Sequence, residues 1–232
     1  MLTLSVSLSQ CYRNDAWISL ATVPAEIDEL CTLFDGVTVD PDTTYHRQRD
    51  ALRSSQGDPR VLEIRYQNDQ SSGLPWQITR ASCIRDARDL AAGQCFGDNF
   101  DTAGGSWKRK VGTLIVDINK PNIDSCFKND WLPVDSFIEG INRACDEFGE
   151  RIVAKGKTES KEIAGLKNKR GDETRKVTVK YSAERDWFVR PEDCKRAGIA
   201  LVSEDGYCRG ENNDSGGGRW KGYSGAFTVD AS

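Results

Sequence analysis

The sequence predicts an α+β protein of two tandem ferredoxin-like (split βαβ) two-layer domains, each with two helices on an antiparallel sheet and each disulfide-stapled. Three observations carry that expectation. All 8 cysteines and all 6 tryptophans fall into pairs at a nearly constant offset. The segments between them switch between helical and strand periodicity in the same order in both halves. The offset, near 115 residues, is domain-sized and far longer than a solenoid repeat. Cys11, Cys31, Cys83 and Cys95 correspond to Cys126, Cys145, Cys194 and Cys208. Trp17 answers Trp131, Trp76 answers Trp187, and Trp107 answers Trp220. The domains are therefore placed at 1–118 and 119–232.

Taken in order, the N-terminal stretch alternates Leu2, Leu4, Val6 and Leu8 with polar residues, which predicts a strand at 2–8 rather than a signal peptide. The chain reads as a mature secreted protein with Met1 supplied for expression. "CYRNDAW" at 11–17 and "CFKNDW" at 126–131 open the two copies. Val23, Ile27, Leu30, Cys31 and Phe34 follow helical spacing, as do Phe137, Ile141, Ala144, Cys145 and Phe148. Thr22 before Pro24 suits a helix start, and Ser136 with Glu139 suits a capping box. "VLEIRY" and "KVTVKY" alternate as strands, and "WQITR" and "WFVR" follow as their hairpin partners. A second helix is expected at about 81–94 and 192–204. Gly-Gly and a long Trp-containing strand close each copy. Between Cys95 and Cys126 only one strand is evident, at 106–118. Either it bends at Gly112 and serves both sheets, or "GVTV" at 36–39 and "RIVA" at 151–154 supply the missing strand.

Four cysteines per domain allow three connectivities. Cys83 and Cys95 flank a helix whose ends stand roughly 18 Å apart, too far for a disulfide. With two antiparallel helices on one sheet face, the start of one neighbours the end of the other. That gives Cys11–Cys95 with Cys31–Cys83, and Cys126–Cys208 with Cys145–Cys194. Each bridge is worth about 3–4 kcal/mol through the loop it closes.

Composition narrows the function. The chain is 38% hydrophobic and 29% charged, with a formal net charge of −4, which suits a globular protein and argues against nucleic acid as partner. No apolar run is long enough to span a membrane. Even cysteine usage without C-x-x-C favours disulfides in an oxidising compartment over zinc. His46, the only histidine, lies in polar "DPDTTYHRQRD", read as a solvated loop. Asp15 and Asp130 could run acid–base chemistry, but Asn-Asp after a cysteine reads first as a turn. The Gly-Gly runs precede strands, the wrong order for phosphate binding. No catalytic, metal or cofactor site is expected. Trp107 and Trp220, among basic neighbours, are the candidates for a glycan-stacking platform, against packing in the core. The copies diverge most between first helix and hairpin, where an exposed loop would hold partner recognition. That loop contains Lys169-Arg170, a candidate processing site. Asn213-Asp214-Ser215 is the candidate glycosylation sequon.

Cys-flanked helices around the paired cysteines, a hairpin ending in Tyr, and Gly104-Gly105 or Gly217-Gly218 before Trp and a terminal strand resemble secreted fungal proteins of the killer-toxin-like α/β fold. The resemblance spans nearly the whole chain, once per domain. It implies a secreted, non-enzymatic effector or toxin-like protein that binds a host or competitor protein. The alternatives are a cell-wall carbohydrate-binding protein and a carboxylate-based hydrolase.

Overall fold

A computed structural model of the chain describes residues 9–54, 58–69, 73–128, 130–168, 171–203 and 208–232. The strand expected at 2–8, the pair Lys169-Arg170 and the end of the helix expected to reach 204 lie outside the described residues. The chain divides into two units, Met1–Lys120 and Pro121–Ser232.

Unit one contains β1 (Ser9–Cys11), α1 (Val23–Cys31), β2 (Thr44–Arg53), β3 (Pro59–Asn68), α2 (Arg80–Arg88), β4 (Gly104–Arg109) and β5 (Gly112–Asn119). Its sheet order is β1-β4-β5-β3-β2, with every neighbouring pair antiparallel. Unit two repeats the plan with β6 (Asn122–Cys126), α3 (Val134–Phe148), β7 (Thr158–Lys167), β8 (Thr174–Ala183), α4 (Pro191–Val202), β9 (Gly217–Gly222) and β10 (Gly225–Ala231). There the order is β6-β9-β10-β8-β7. Each unit is a mixed α+β assembly. Because neighbours alternate in direction, β3 and β4 run parallel on either side of β5, and α2 connects them. By the same count the two edge strands β1 and β2 run parallel and are joined through α1.

Apolar periodicity locates the core. Val23, Ile27, Leu30 and Cys31 of α1 and Cys83 and Ala87 of α2 are buried against Leu62, Ile64, Tyr66, Leu114, Val116 and Ile118 of the sheet. Both helices therefore use one sheet face. Unit two does the same with Phe137, Ile141, Ala144 and Phe148 against Val177, Val179, Tyr181, Phe227 and Val229. The disulfides are Cys11–Cys95, Cys31–Cys83, Cys126–Cys208 and Cys145–Cys194, the pairs that antiparallel helices on one face require. None links the two units.

Five expectations are corrected. The segment 106–118 is a hairpin, β4 and β5, turning between Arg109 and Gly112. The second unit opens with its own strand β6, so among the described residues no strand serves both sheets. Trp76–Gln77 pairs with Thr38–Val39, and Trp187–Val189 with Arg151–Val153. The hairpin partner of β3 is therefore β2, and that of β8 is β7. The charged stretch read as a loop is thus the edge strand of each sheet. Finally, α3 begins at Val134 after Pro133, which leaves Ser136 inside the helix. The capping box belongs to α2, where Thr79 and Ser82 exchange side-chain to backbone bonds at 3.0 and 3.1 Å.

The repeated Gly-Gly has a steric reason at its second residue. A Cβ on Gly105 would lie 2.7 Å from Cys95 Sγ, and one on Gly218 would lie 2.5 Å from Cys208 Sγ. The strand can pass the disulfide only as bare backbone.

Candidate functional site

The two platform tryptophans part company. Trp220 is only 3% exposed, its ring centroid 5.9 Å from that of Trp187 and 5.8 Å from that of Phe227. It is core, and as a stacking platform it is corrected. Trp107 is partly buried, and the Arg109 guanidinium lies 3.4 Å from the centre of its ring. Asp86 holds Arg109 at 3.1 Å. That face of Trp107 is occupied from within the chain. The other copy has Gly222 in place of Arg109, and a Cβ there would approach the Trp220 ring to 2.8 Å.

Asp15 and Asp130 take part in ion pairs at the ends of their opening turns. Asp15 pairs with Lys120, whose hydrogen bond and charge hold its carboxyl below the usual 3.8. Asp130 has a left-handed φ of 51° and faces Arg175 at 3.6 Å. Beside Asp15, the Asn14 Oδ1 accepts from the Ala16 amide at 2.8 Å, and its Nδ2 donates to the Ile118 carbonyl at 3.1 Å. This is an Asx turn pinned to β5.

His46 is corrected from loop to strand. It stands on β2 opposite Arg65 of β3 and is 7% exposed. Asn213 is exposed, with φ 57°. Ser215, the third sequon residue, is buried; its hydroxyl donates to the Cys208 carbonyl at 2.6 Å and accepts from the Gly217 amide at 3.0 Å. In unit one Phe100 has φ 55°, and the Thr102 hydroxyl makes the equivalent bonds to the Cys95 carbonyl and Gly104 amide. The sequon thus coincides with a turn that both copies need. A glycan at Asn213 would have to be attached before Ser215 is buried.

The sheet face turned away from the helices holds a cluster that periodicity had assigned to the polar side of each strand. Asp117 on β5 accepts from Arg65 Nη2 at 3.1 Å, and Arg65 Nε lies 3.4 Å from Glu63. Glu63 and Asp117 are directly opposite in the ladder. Tyr12, just after β1, is hydrogen-bonded with Ser106; burial first, then the Asp117 charge, pushes its phenol pKa up. Residues 10–14 and Asp117 line an open cavity of about 520 Å3. In unit two the matching positions are Ser125, Cys126, Phe127, Lys128 and Asp230, with Lys180 for Arg65 and Thr178 for Glu63. Burial, with the Asp130 charge in the same direction, raises the Asp230 carboxyl, against the pull of Lys180 and Lys176.

The strand "VLEIRY" and the strand expected at 106–118 already contain Glu63, Arg65 and Asp117, yet nothing in either alone shows that they meet across neighbouring strands. Among the described residues no group of three or more His, Cys, Asp or Glu is placed to hold a metal ion, and no helix is long and apolar enough to cross a membrane. The sequence matches no protein-family model and no curated protein.

Proposed function

We propose that this chain is a secreted, non-enzymatic effector or toxin-like protein, built from two killer-toxin-like α/β units, that acts by binding a host or competitor target. The observation carrying this reading is the contrast between copies. They keep the same disulfides and strand order, and the buried pair Phe34 and Tyr66 recurs as Phe148 and Tyr181, while most side chains of the outer hairpin strand and three of those lining the cavity beside β1 differ. Such a pattern fits a protease-resistant scaffold that presents variable surfaces. Four disulfides fit an oxidising, extracellular compartment. The carboxylates considered for hydrolysis, Asp15 and Asp130, are engaged by Lys120 and Arg175, which favours a positional role for both.

The test is tissue infiltration and growth inhibition with the purified, oxidised full-length protein. A response retained by Asp15→Asn and Asp130→Asn, and lost after reduction and alkylation, is expected. Turnover of a wall polysaccharide that disappears in either variant would overturn the reading in favour of a hydrolase. Cell-wall carbohydrate binding remains a second reading, favoured by the cavity beside Tyr12 rather than by tryptophans.

A further inference from the structure

We propose that unit one carries a subsite for a neutral oligosaccharide in the cavity lined by residues 10–14 and Asp117, with Gln10, Tyr12, Arg13 and Asp117 as the recognising groups. The proposal rests on the reading of the chain as a non-enzymatic binder and names a ligand class for one of its surfaces.

Unspent hydrogen-bonding capacity is the first argument. Asp117 gives Oδ2 to Arg65 and keeps Oδ1. Gln10 and Arg13 line the same cavity, and neither side chain is engaged in a hydrogen bond or ion pair among the described residues. An acceptor carboxylate, an amide with both functions and a guanidinium together match the adjacent hydroxyls of a sugar, which donate and accept at once. Tyr12 adds an aromatic body with a polar tip, suited to a ring that has apolar C–H faces and hydroxyl edges. As a phenol it is protonated at neutral pH and can donate, and burial pushes its pKa further up.

Charge decides between ligand classes. Arg13 and Arg65 are balanced by Glu63 and Asp117, so neither an anion nor a cation is favoured and a neutral polar ligand is. The volume, about 520 Å3, falls within the range of small-ligand pockets, about 300–1,000 Å3. The wall is also preorganised. Cys11 lines it and is tied to Cys95, and Asn14 is fixed at both ends of its amide.

The duplication supplies an internal control. Unit two keeps the aspartate as Asp230 but has Phe127 for Tyr12, Ser125 for Gln10 and Thr178 for Glu63. It therefore lacks the phenol and the amide, and binding is expected at one site per chain. The variants Tyr12→Phe and Gln10→Ser install residues that the same fold already accepts at the same places, so lost binding cannot be put down to lost fold.

The experiment is calorimetric titration of the oxidised full-length protein with a β-1,3-glucan hexasaccharide and, separately, an N-acetylglucosamine hexasaccharide, with mass spectrometry of the sugar afterwards. Saturable binding of one or both at one site per chain is expected. Tyr12→Phe should weaken it by about 5- to 10-fold, the loss of one hydrogen bond, and Gln10→Ser by a similar factor. No binding of either sugar at millimolar concentration, two sites per chain, or wild-type affinity in Tyr12→Phe would overturn the subsite and leave the effector reading standing. Sugar shortened during the titration would overturn both.

Discussion

Trp107 and Trp220 occupy the same ladder position and have different energetics. Trp220 is enclosed by Trp187, Phe227 and Gly222, so Trp220→Ala leaves a large cavity and should cost about 3–5 kcal/mol. Trp107→Ala should cost visibly less, because that ring is only partly buried and one face is covered by the Arg109 guanidinium rather than by apolar side chains. Urea unfolding followed by amide signals of each unit separates the two effects. At the glycines, Gly105→Ala and Gly218→Ala drive a methyl into a disulfide sulfur and should each destabilise by about 1–3 kcal/mol. Two aspartates then predict opposite pH behaviour. Lys120 depresses the Asp15 pKa, so whatever stability that pair adds is present above 3.8 and is lost as pH falls through the lowered folded value. Lys120→Ala should return the Asp15 midpoint in an NMR titration to its ordinary position. Asp230 is raised, so its ionised form is less favourable in the folded than in the unfolded chain. Asp230→Asn should therefore raise the thermal midpoint near pH 7 and leave it unchanged near pH 3, where the carboxyl is protonated in both states.

At the scale of elements, β2 shows why part of the fold was hidden. Strand prediction looks for alternating apolar residues, and the helix-facing positions of β2 are Tyr45, Arg47 and Arg49. Tyr45 packs on Phe34 with centroids 5.4 Å apart, and the Arg47 guanidinium lies 4.2 Å from the Tyr45 ring centre. Arg49, its side chain 7% exposed, reaches Glu26 at 3.0 Å and Glu29 at 2.7 Å on α1. Two arginine stems thus serve as core, and a hydropathy reading sees only a charged loop. The helices, by contrast, were legible from Val23 to Phe34 and from Phe137 to Phe148, where every buried position is apolar. The β4–β5 turn was missed because Lys110 and Val111 carry no turn signature. The cavity was illegible for another reason: Tyr12 follows β1, Asp117 lies on β5 and the Glu63–Arg65 pair beside it on β3, and these three segments converge only once the register is set. From β2 one consequence follows. Arg49→Ala removes both a buried stem and the cation that pairs with the half-buried Glu26 and the exposed Glu29, and should cost about 1–3 kcal/mol. Arg49→Met keeps the stem and should recover part of that loss; equal losses in denaturant titrations would mean that packing contributes nothing.

For the whole molecule, the decisive fact is that every disulfide closes within its own unit. Cys11–Cys95 and Cys31–Cys83 lie within Met1–Lys120, and Cys126–Cys208 and Cys145–Cys194 within Pro121–Ser232. The bridges close loops with sequence separations of 84, 52, 82 and 49 residues. In the chain-entropy picture each removes about 4 kcal/mol of unfolded-state freedom. Each unit also has its own two helices, its own five-stranded sheet and its own aromatic cluster, around Tyr66 and Trp76 in one and around Tyr181 and Trp187 in the other. A duplicated domain with no shared bridge and, among the described residues, no shared strand has what it needs to fold alone. Fragments 1–120 and 121–232, oxidised separately, should therefore each give dispersed amide spectra, and peptide mapping should return the same two disulfides per fragment. Scrambled bridges or collapsed spectra in either fragment would show that the copies had become dependent on each other after duplication. If both fold, the 1–120 fragment becomes the smallest piece expected to retain the sugar subsite, and 121–232 its matched negative control.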